Sequence, residues 1–162
     1  MPTYSDVSQI KSPLVRSLHD WWMSSRGPLG VPDRASFDPT EHKDLLKHMM
    51  ICDFEPIPFR VRYRLVGTKI AAMTGFEFTG RYLDEVLGPA ITEPWMEYYA
   101  TAARTREPLL GSVTEPTRSG GPFSYEFGIF PVAKGGPEVQ QFLSIEDYFG
   151  VTLISAGLVP WP

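Results

Sequence analysis

Three histidines and a single cysteine are the side chains best suited to metal or nucleophilic chemistry, and their positions narrow what they can do. His42 and His48 lie six apart, so a helix would turn them to different sides and they cannot share a metal. His19 stands alone upstream of both. Cys52 forbids an internal disulfide and supplies no zinc framework. Asp53 with Glu55, and Asp84 with Glu85, are carboxylate pairs suited in principle to acid–base work. Neither has a base or a metal cluster beside it in sequence, so both read as surface charge. No G-x-S-x-G elbow is present, and no glycine-rich phosphate cradle precedes a helix. The glycine pairs at 120–121 and 135–136 sit between alternating runs and read as hairpin turns.

The chain has 162 residues, 43% of them hydrophobic and 13% aromatic, enough for one domain with a real core. Its 14 glycines and 16 prolines call for many turns and leave room for only one or two long helices. The net charge of −4 is weighted toward an acidic second half, which argues against nucleic-acid binding. The polar start is no signal peptide, and no apolar run reaches the length of a membrane span. These features predict a soluble cytoplasmic protein without membrane or nucleic-acid partners.

The elements follow from pattern. Ser12 as cap and Pro13 at the first helical position open a helix whose apolar face is Leu14, Val15, Leu18, Trp21 and Trp22. Gly27-Pro28 ends it. A second helix is predicted from Asp38-Pro39 to about His48. Strands are predicted over 49–55 and 59–65, joined by a proline turn; in the second, Val61, Tyr63 and Leu65 share one face and Arg60, Arg62 and Arg64 the other. Short helical turns follow through 87. A longer helix spans about Thr92 to Thr105, with Trp95, Tyr98, Tyr99, Ala102 and Ala103 on one stripe. Strands over 109–116, 123–132 and 138–148 form a closing meander.

Five antiparallel strands split two-plus-three by a helical insert is the order of a PAS domain. The stretches Val31-Pro32-Asp33-Arg34, Phe37-Asp38-Pro39, Arg62-Tyr63-Arg64-Leu65-Val66-Gly67-Thr68-Lys69-Ile70 and Thr79-Gly80-Arg81-Tyr82-Leu83-Asp84-Glu85-Val86 resemble a family of short bacterial PAS-domain proteins. The resemblance implies an α+β fold: a PAS-like five-stranded antiparallel sheet with short helices on one face and an N-terminal flanking helix. It divides the chain into an N-terminal helical extension (1–30), a PAS-like domain (31–148) and a C-terminal tail (149–162). It further implies a sensory or adaptor role in signal transduction rather than an enzyme.

Where relatives use a flavin–cysteine photo-adduct, the cysteine lies in the helical insert, and residues 68–87 contain none. Where relatives bind haem, the axial histidine lies on the long helix, which here has none. Both absences argue against those cofactors and leave the cofactor open. The residues expected to line a cavity for a small apolar or aromatic ligand are Tyr63, Leu65, Ile70, Met73, Phe76, Leu83, Trp95, Tyr98, Tyr125, Phe127 and Ile129. Each is also an ordinary core type. Leu14, Leu18, Trp21 and Trp22 are expected to form a contact with a second copy or a signalling partner, since PAS domains commonly dimerise through flanking helices; packing on their own domain is the competing role. Two other readings keep the same elements: a ligand-free scaffold closed by its own aromatics, and a small cone-shaped α+β enzyme, which the lack of histidine after His48 disfavours.

Overall fold

A computed structural model of the chain describes residues 3–4, 6–28, 30–75, 77–116 and 122–150. The strands are β1 (Thr3–Tyr4), β2 (Met49–Pro56), β3 (Phe59–Val66), β4 (Leu109–Pro116), β5 (Pro122–Ala133) and β6 (Val139–Asp147). The helices are α1 (Pro13–Ser25), α2 (Lys43–Leu46), α3 (Thr68–Thr74), α4 (Leu83–Val86) and α5 (Pro89–Thr105). All strands join one antiparallel sheet in the order β1-β4-β5-β6-β2-β3. The first and last halves of the chain therefore meet at the β2–β6 ladder, where Met50 pairs with Ser144 and Cys52 with Phe142. A sixth strand stands where the sequence predicted five: Thr3 and Tyr4 pair with Gly111 and Leu110 at the β4 edge. Two residues carry no periodicity, so only the partner strand reveals them.

Side chains alternate between the two faces of the sheet. On one face α1 packs across β5 and β6. The indole nitrogen of Trp22 donates to the Pro131 carbonyl at 2.7 Å, and His19 meets Phe130 edge-on. On the other face α5 brings Tyr99 onto Phe142 and Trp95 onto Phe127. Val15, Leu18, Trp21 and Trp22 belong to the same buried cluster as the sheet residues, so the segment read as an extension shares the core of the rest.

Three local expectations change. The helix expected from Asp38 to His48 forms only over Lys43–Leu46. Asp38 instead accepts from the backbone and hydroxyl of Thr40, a local turn that competes with helix. The long helix begins three residues earlier than expected, with Gly88 as cap and Pro89 at its first turn; the Thr92 hydroxyl donates back to the Leu87 and Gly88 carbonyls. A bulge between Ile51 and Cys52 sets Leu65 opposite Ile51 and Tyr63 opposite Cys52, so Arg64 has no opposite number. The strict alternation of β3 is broken there, and Leu65 turns away from Tyr63 to stand 50% exposed. No helix among the described residues is long and apolar enough to cross a membrane.

Candidate functional site

The face of the sheet beneath α5 carries hydroxyl and thiol groups where packing alone would call for hydrocarbon. Cys52 from β2 and Ser144 from β6 point toward α5, and Tyr99 reaches down between them. Its hydroxyl lies 3.0 Å from the Ser144 hydroxyl and 3.7 Å from the Cys52 sulfur. All three residues are at most 2% exposed. Burial pushes the Cys52 thiol up to about 12, against smaller opposing effects of its hydrogen bonds, so it stays a thiol and is no nucleophile. Tyr63 stands directly across the ladder from Cys52, its ring edge-on to Phe78 at 4.7 Å. Burial also raises the Tyr63 and Tyr99 phenols well above 10, which keeps both as hydrogen-bond donors. Further along β6, Glu146 accepts from the hydroxyl of Tyr148.

The other half of this face is aromatic. Trp95, Tyr98 and Phe127 form a triad with centroids 4.7 to 5.9 Å apart. Phe123, Tyr125 and Tyr148 form a second, at 5.0 to 6.1 Å. Such pairs favour edge-on and offset arrangements and shape a surface suited to flat apolar groups.

Of the residues predicted to line a cavity, Tyr63, Ile70, Met73, Leu83, Trp95, Phe127 and Ile129 are buried, and Tyr98 and Tyr125 are half-buried. Leu65 is a correction: the bulge places it on the opposite face, in line with Ile51 and Leu143, where it can touch nothing bound under α5. Phe76 lies outside the described residues. Cys52, Tyr99, Ser144 and Glu146 were not among the predicted set. The sequence marks Cys52 as the lone cysteine and Tyr99 as part of the helical stripe, but only the register of β2, β6 and α5 brings the four to one face. An open groove of about 850 Å³ lies at the other end of α5, between Phe54, Phe59, Arg104, Lys134 and Val139, and no predicted lining residue borders it. The histidines are apart: His19 meets Phe130, His42 stacks on Phe37, and His48 contacts the Glu146 carbonyl. Among the described residues no cluster of histidine, cysteine or acidic side chains could hold a metal ion.

A family model described as a PAS domain matches residues 10–145. The chain belongs to the PAS domain family. Its fold is similar to a light-oxygen-voltage domain studied with a flavin analogue, at 18% identity over 68% of this chain and 84% of that one, with a TM-score of 0.49. It is similar also to the PAS domain of a protein from Colwellia psychrerythraea, at 12% identity over 68% of this chain and 94% of that one, with a TM-score of 0.48. The blue-light photoreceptor Aureochrome1 LOV is a third, at 11% identity, 71% and 90% coverage and a TM-score of 0.46. A search of curated proteins gives no match.

Two of the four stretches that carry the PAS resemblance, 62–70 and 79–86, meet in space. The Tyr63 backbone exchanges hydrogen bonds with Arg81 and Gly80 at 2.9 and 2.5 Å, lacing the T-G-R-Y segment along the open edge of β3. Arg60 clasps Asp84 at 2.7 and 2.9 Å, and its guanidinium lies 3.7 Å over the Tyr82 ring. The Tyr82 hydroxyl donates to Glu55, and its backbone nitrogen to Glu85. Arg64 pairs with Asp53 at 3.4 Å. Asp84 and Glu85 thus tie α4 to β3 through Arg60, while on β2 Asp53 meets Arg64 of β3 and Glu55 takes the Tyr82 hydroxyl. Of the three arginines on β3, Arg60 and Arg62 bind the segment before and within α4.

In this PAS chain α1 does not present its tryptophans outward. Leu18, Trp21 and Trp22 are buried in the chain's own core, Trp21 edge-on to Phe37 at 5.0 Å, and Leu14 is half-buried. The apolar stripe that predicted a partner contact is consumed by the sheet, because β5 and β6 offer Phe130, Val132, Leu143 and Ile145 on that face.

Proposed function

We propose that this PAS domain is a non-catalytic sensory or adaptor module that takes a small apolar or aromatic ligand on the face beneath α5 and signals by changing its contacts with a second copy or a partner protein. One observation carries the reading. The aromatic triads and the buried group of Cys52, Tyr63, Tyr99 and Ser144 share one face, combining an apolar bed with a few placed polar groups. The output contact must use surface other than Leu18, Trp21 and Trp22, which would have to leave the core to be touched.

The ligand-free scaffold is favoured by a different feature: Trp95 and Phe127 already touch at 4.7 Å, so the aromatics can close the face by themselves. Native mass spectrometry of gently purified protein, set against its denatured mass, separates the two. An adduct lost on denaturation supports ligand sensing, and its mass gives the chemistry to pursue. Bare protein after incubation with a panel of small aromatic compounds overturns it and leaves the scaffold.

A further inference from the structure

The second half of the chain is acidic, with 4 Lys and Arg against 10 Asp and Glu over residues 82–162. Three of those four cations, Arg104, Arg106 and Lys134, border the open groove of about 850 Å³ at the C-terminal end of α5. They come from two separate places in the fold. Arg104 lies in the last turn of α5 and Arg106 caps it, whereas Lys134 follows β5 in the turn toward β6. A helix C-terminus favours cations in its last turn, but it calls for none on a neighbouring hairpin. Nor do ion pairs absorb them all. Among the described residues, Arg104 reaches the Thr101 hydroxyl of its own helix at 3.4 Å, and neither Arg104 nor Lys134 is paired with a carboxylate.

Two acids border the same groove. Asp53 is already engaged by Gln141 at 2.6 Å and Arg64 at 3.4 Å, which leaves the exposed Glu138 against three cations. The rest of the lining is largely apolar. Phe54 and Phe59 are half-buried with their rings 5.4 Å apart, and Phe54 leans on the fully buried Phe142 at 5.1 Å. Ala100 and Ala103 line the groove from α5, and their single methyls leave it open. Hydrocarbon laid on such a surface leaves water, which is favourable. A neutral hydrocarbon would make no use of the cations, and a bare inorganic anion would leave the two rings wet.

We propose that this groove binds a small carboxylic acid with an apolar body, the carboxylate held by Arg104, Arg106 and Lys134 and the hydrocarbon lying on Phe54 and Phe59. Its volume is in the range of small-molecule sites. Neither Trp95 nor Phe127 borders it, so this is a second site whose ligand is independent of the one beneath α5.

Octanoate, octan-1-ol and acetate separate the two contributions, read from the ¹H–¹³C methyl resonances of Ala100 and Ala103 in the full chain. Octanoate should move both methyls and bind about tenfold tighter than octan-1-ol, the worth of a charge-assisted hydrogen bond. Acetate should leave them in place at the same concentrations. Arg104→Gln combined with Lys134→Gln alters only exposed side chains. It should bring octanoate down to the level of octan-1-ol, with the alcohol unchanged. Equal affinity for octanoate and octan-1-ol, or octanoate binding untouched by the double variant, overturns the site. Acetate moving the methyls as readily as octanoate overturns it too, and leaves a surface ion contact. Octanoate that shifts the Trp95 and Phe127 ring signals but not the alanine methyls overturns the groove while supporting a ligand beneath α5. Silence of the methyls toward every probe overturns it and turns the search to a protein segment as occupant, with the ligand beneath α5 still decided by its own adduct mass.

Discussion

At the scale of single residues, two glycines of the family motifs are required for opposite reasons. Gly67, in R-Y-R-L-V-G-T, has an ordinary φ of −65°, so any residue could adopt its backbone. It has no room, however: a Cβ there would stand 2.5 Å from the Lys47 carbonyl oxygen and 2.7 Å from that of Leu46. Gly80, in T-G-R-Y-L-D-E, has φ of +87° with open space around it. The first substitution collides with backbone that cannot rotate away, and the second only strains its own torsion. Gly67→Ala is therefore expected to lose about 2–3 kcal/mol in urea unfolding, as overpacking does, and Gly80→Ala about 1 kcal/mol, as for an L-residue held left-handed. A smaller loss at Gly67 than at Gly80 would mean the Leu46–Lys47 turn moves freely, which the bond from the Lys69 nitrogen to the Lys47 carbonyl opposes. The site residues differ in how far sequence exposes them. Tyr63, Trp95 and Phe127 stand out because they are large and lie on a periodic stripe. Cys52 and Tyr99 stand out singly, as the lone cysteine and a member of the helical stripe, but what joins them with Ser144 into one polar group is the register of β2 against β6 and not anything local.

At the scale of elements, the most consequential joint is where α1 starts. Glu126 and Asp147 are directly opposite on β5 and β6, each 6% exposed. Glu126 accepts from the Lys11 and Ser12 backbone nitrogens at 2.9 and 2.7 Å. The Ser12 hydroxyl donates to Asp147 at 2.7 Å while accepting from Val15 as the helix cap. One serine thus caps the helix and fastens it to the sheet. Ser12→Ala is expected to cost about 2 kcal/mol, the upper range for a lost cap, because Asp147 also loses a buried partner. Asp6→Ala removes the same kind of cap from an exposed turn and should leave the urea midpoint where it was. Equal effects from both would show that burial at the α1 joint adds nothing. The element list also shows where reading from sequence ends. The start of α1 is legible because Ser12 and Pro13 act locally. The failure of the 38–48 helix, the lone pairing of Thr3–Tyr4 and the outward turn of Leu65 are not, because a competing turn, a partner strand or a bulge across the ladder decides each.

At the scale of the molecule, the sheet is clad on both faces, and that arrangement makes a claim about cooperativity. Trp22 reports the α1 face and Trp95 the α5 face, and the two share one layer of strands: Trp22 bonds to Pro131 of β5, and Trp95 packs on Phe127 of the same strand. A helix that merely flanked the domain would detach before the sheet melted, and its tryptophans would respond first. A helix that completes the core cannot leave without exposing Phe130, Leu143 and Ile145, each fully buried. Burying such side chains contributes roughly 1.5–3 kcal/mol apiece, a large share of the stability of a domain this size. The protein is therefore expected to unfold as one unit. With 5-fluorotryptophan in place of tryptophan and each ¹⁹F resonance assigned by a single Trp→Phe variant, the folded signals of Trp22 and Trp95 should disappear at the same urea concentration. If Trp22 instead loses its folded signal while Trp95 and the far-ultraviolet dichroism persist, α1 is a separable cover over β5 and β6. Its buried stripe would then be available to a partner once released.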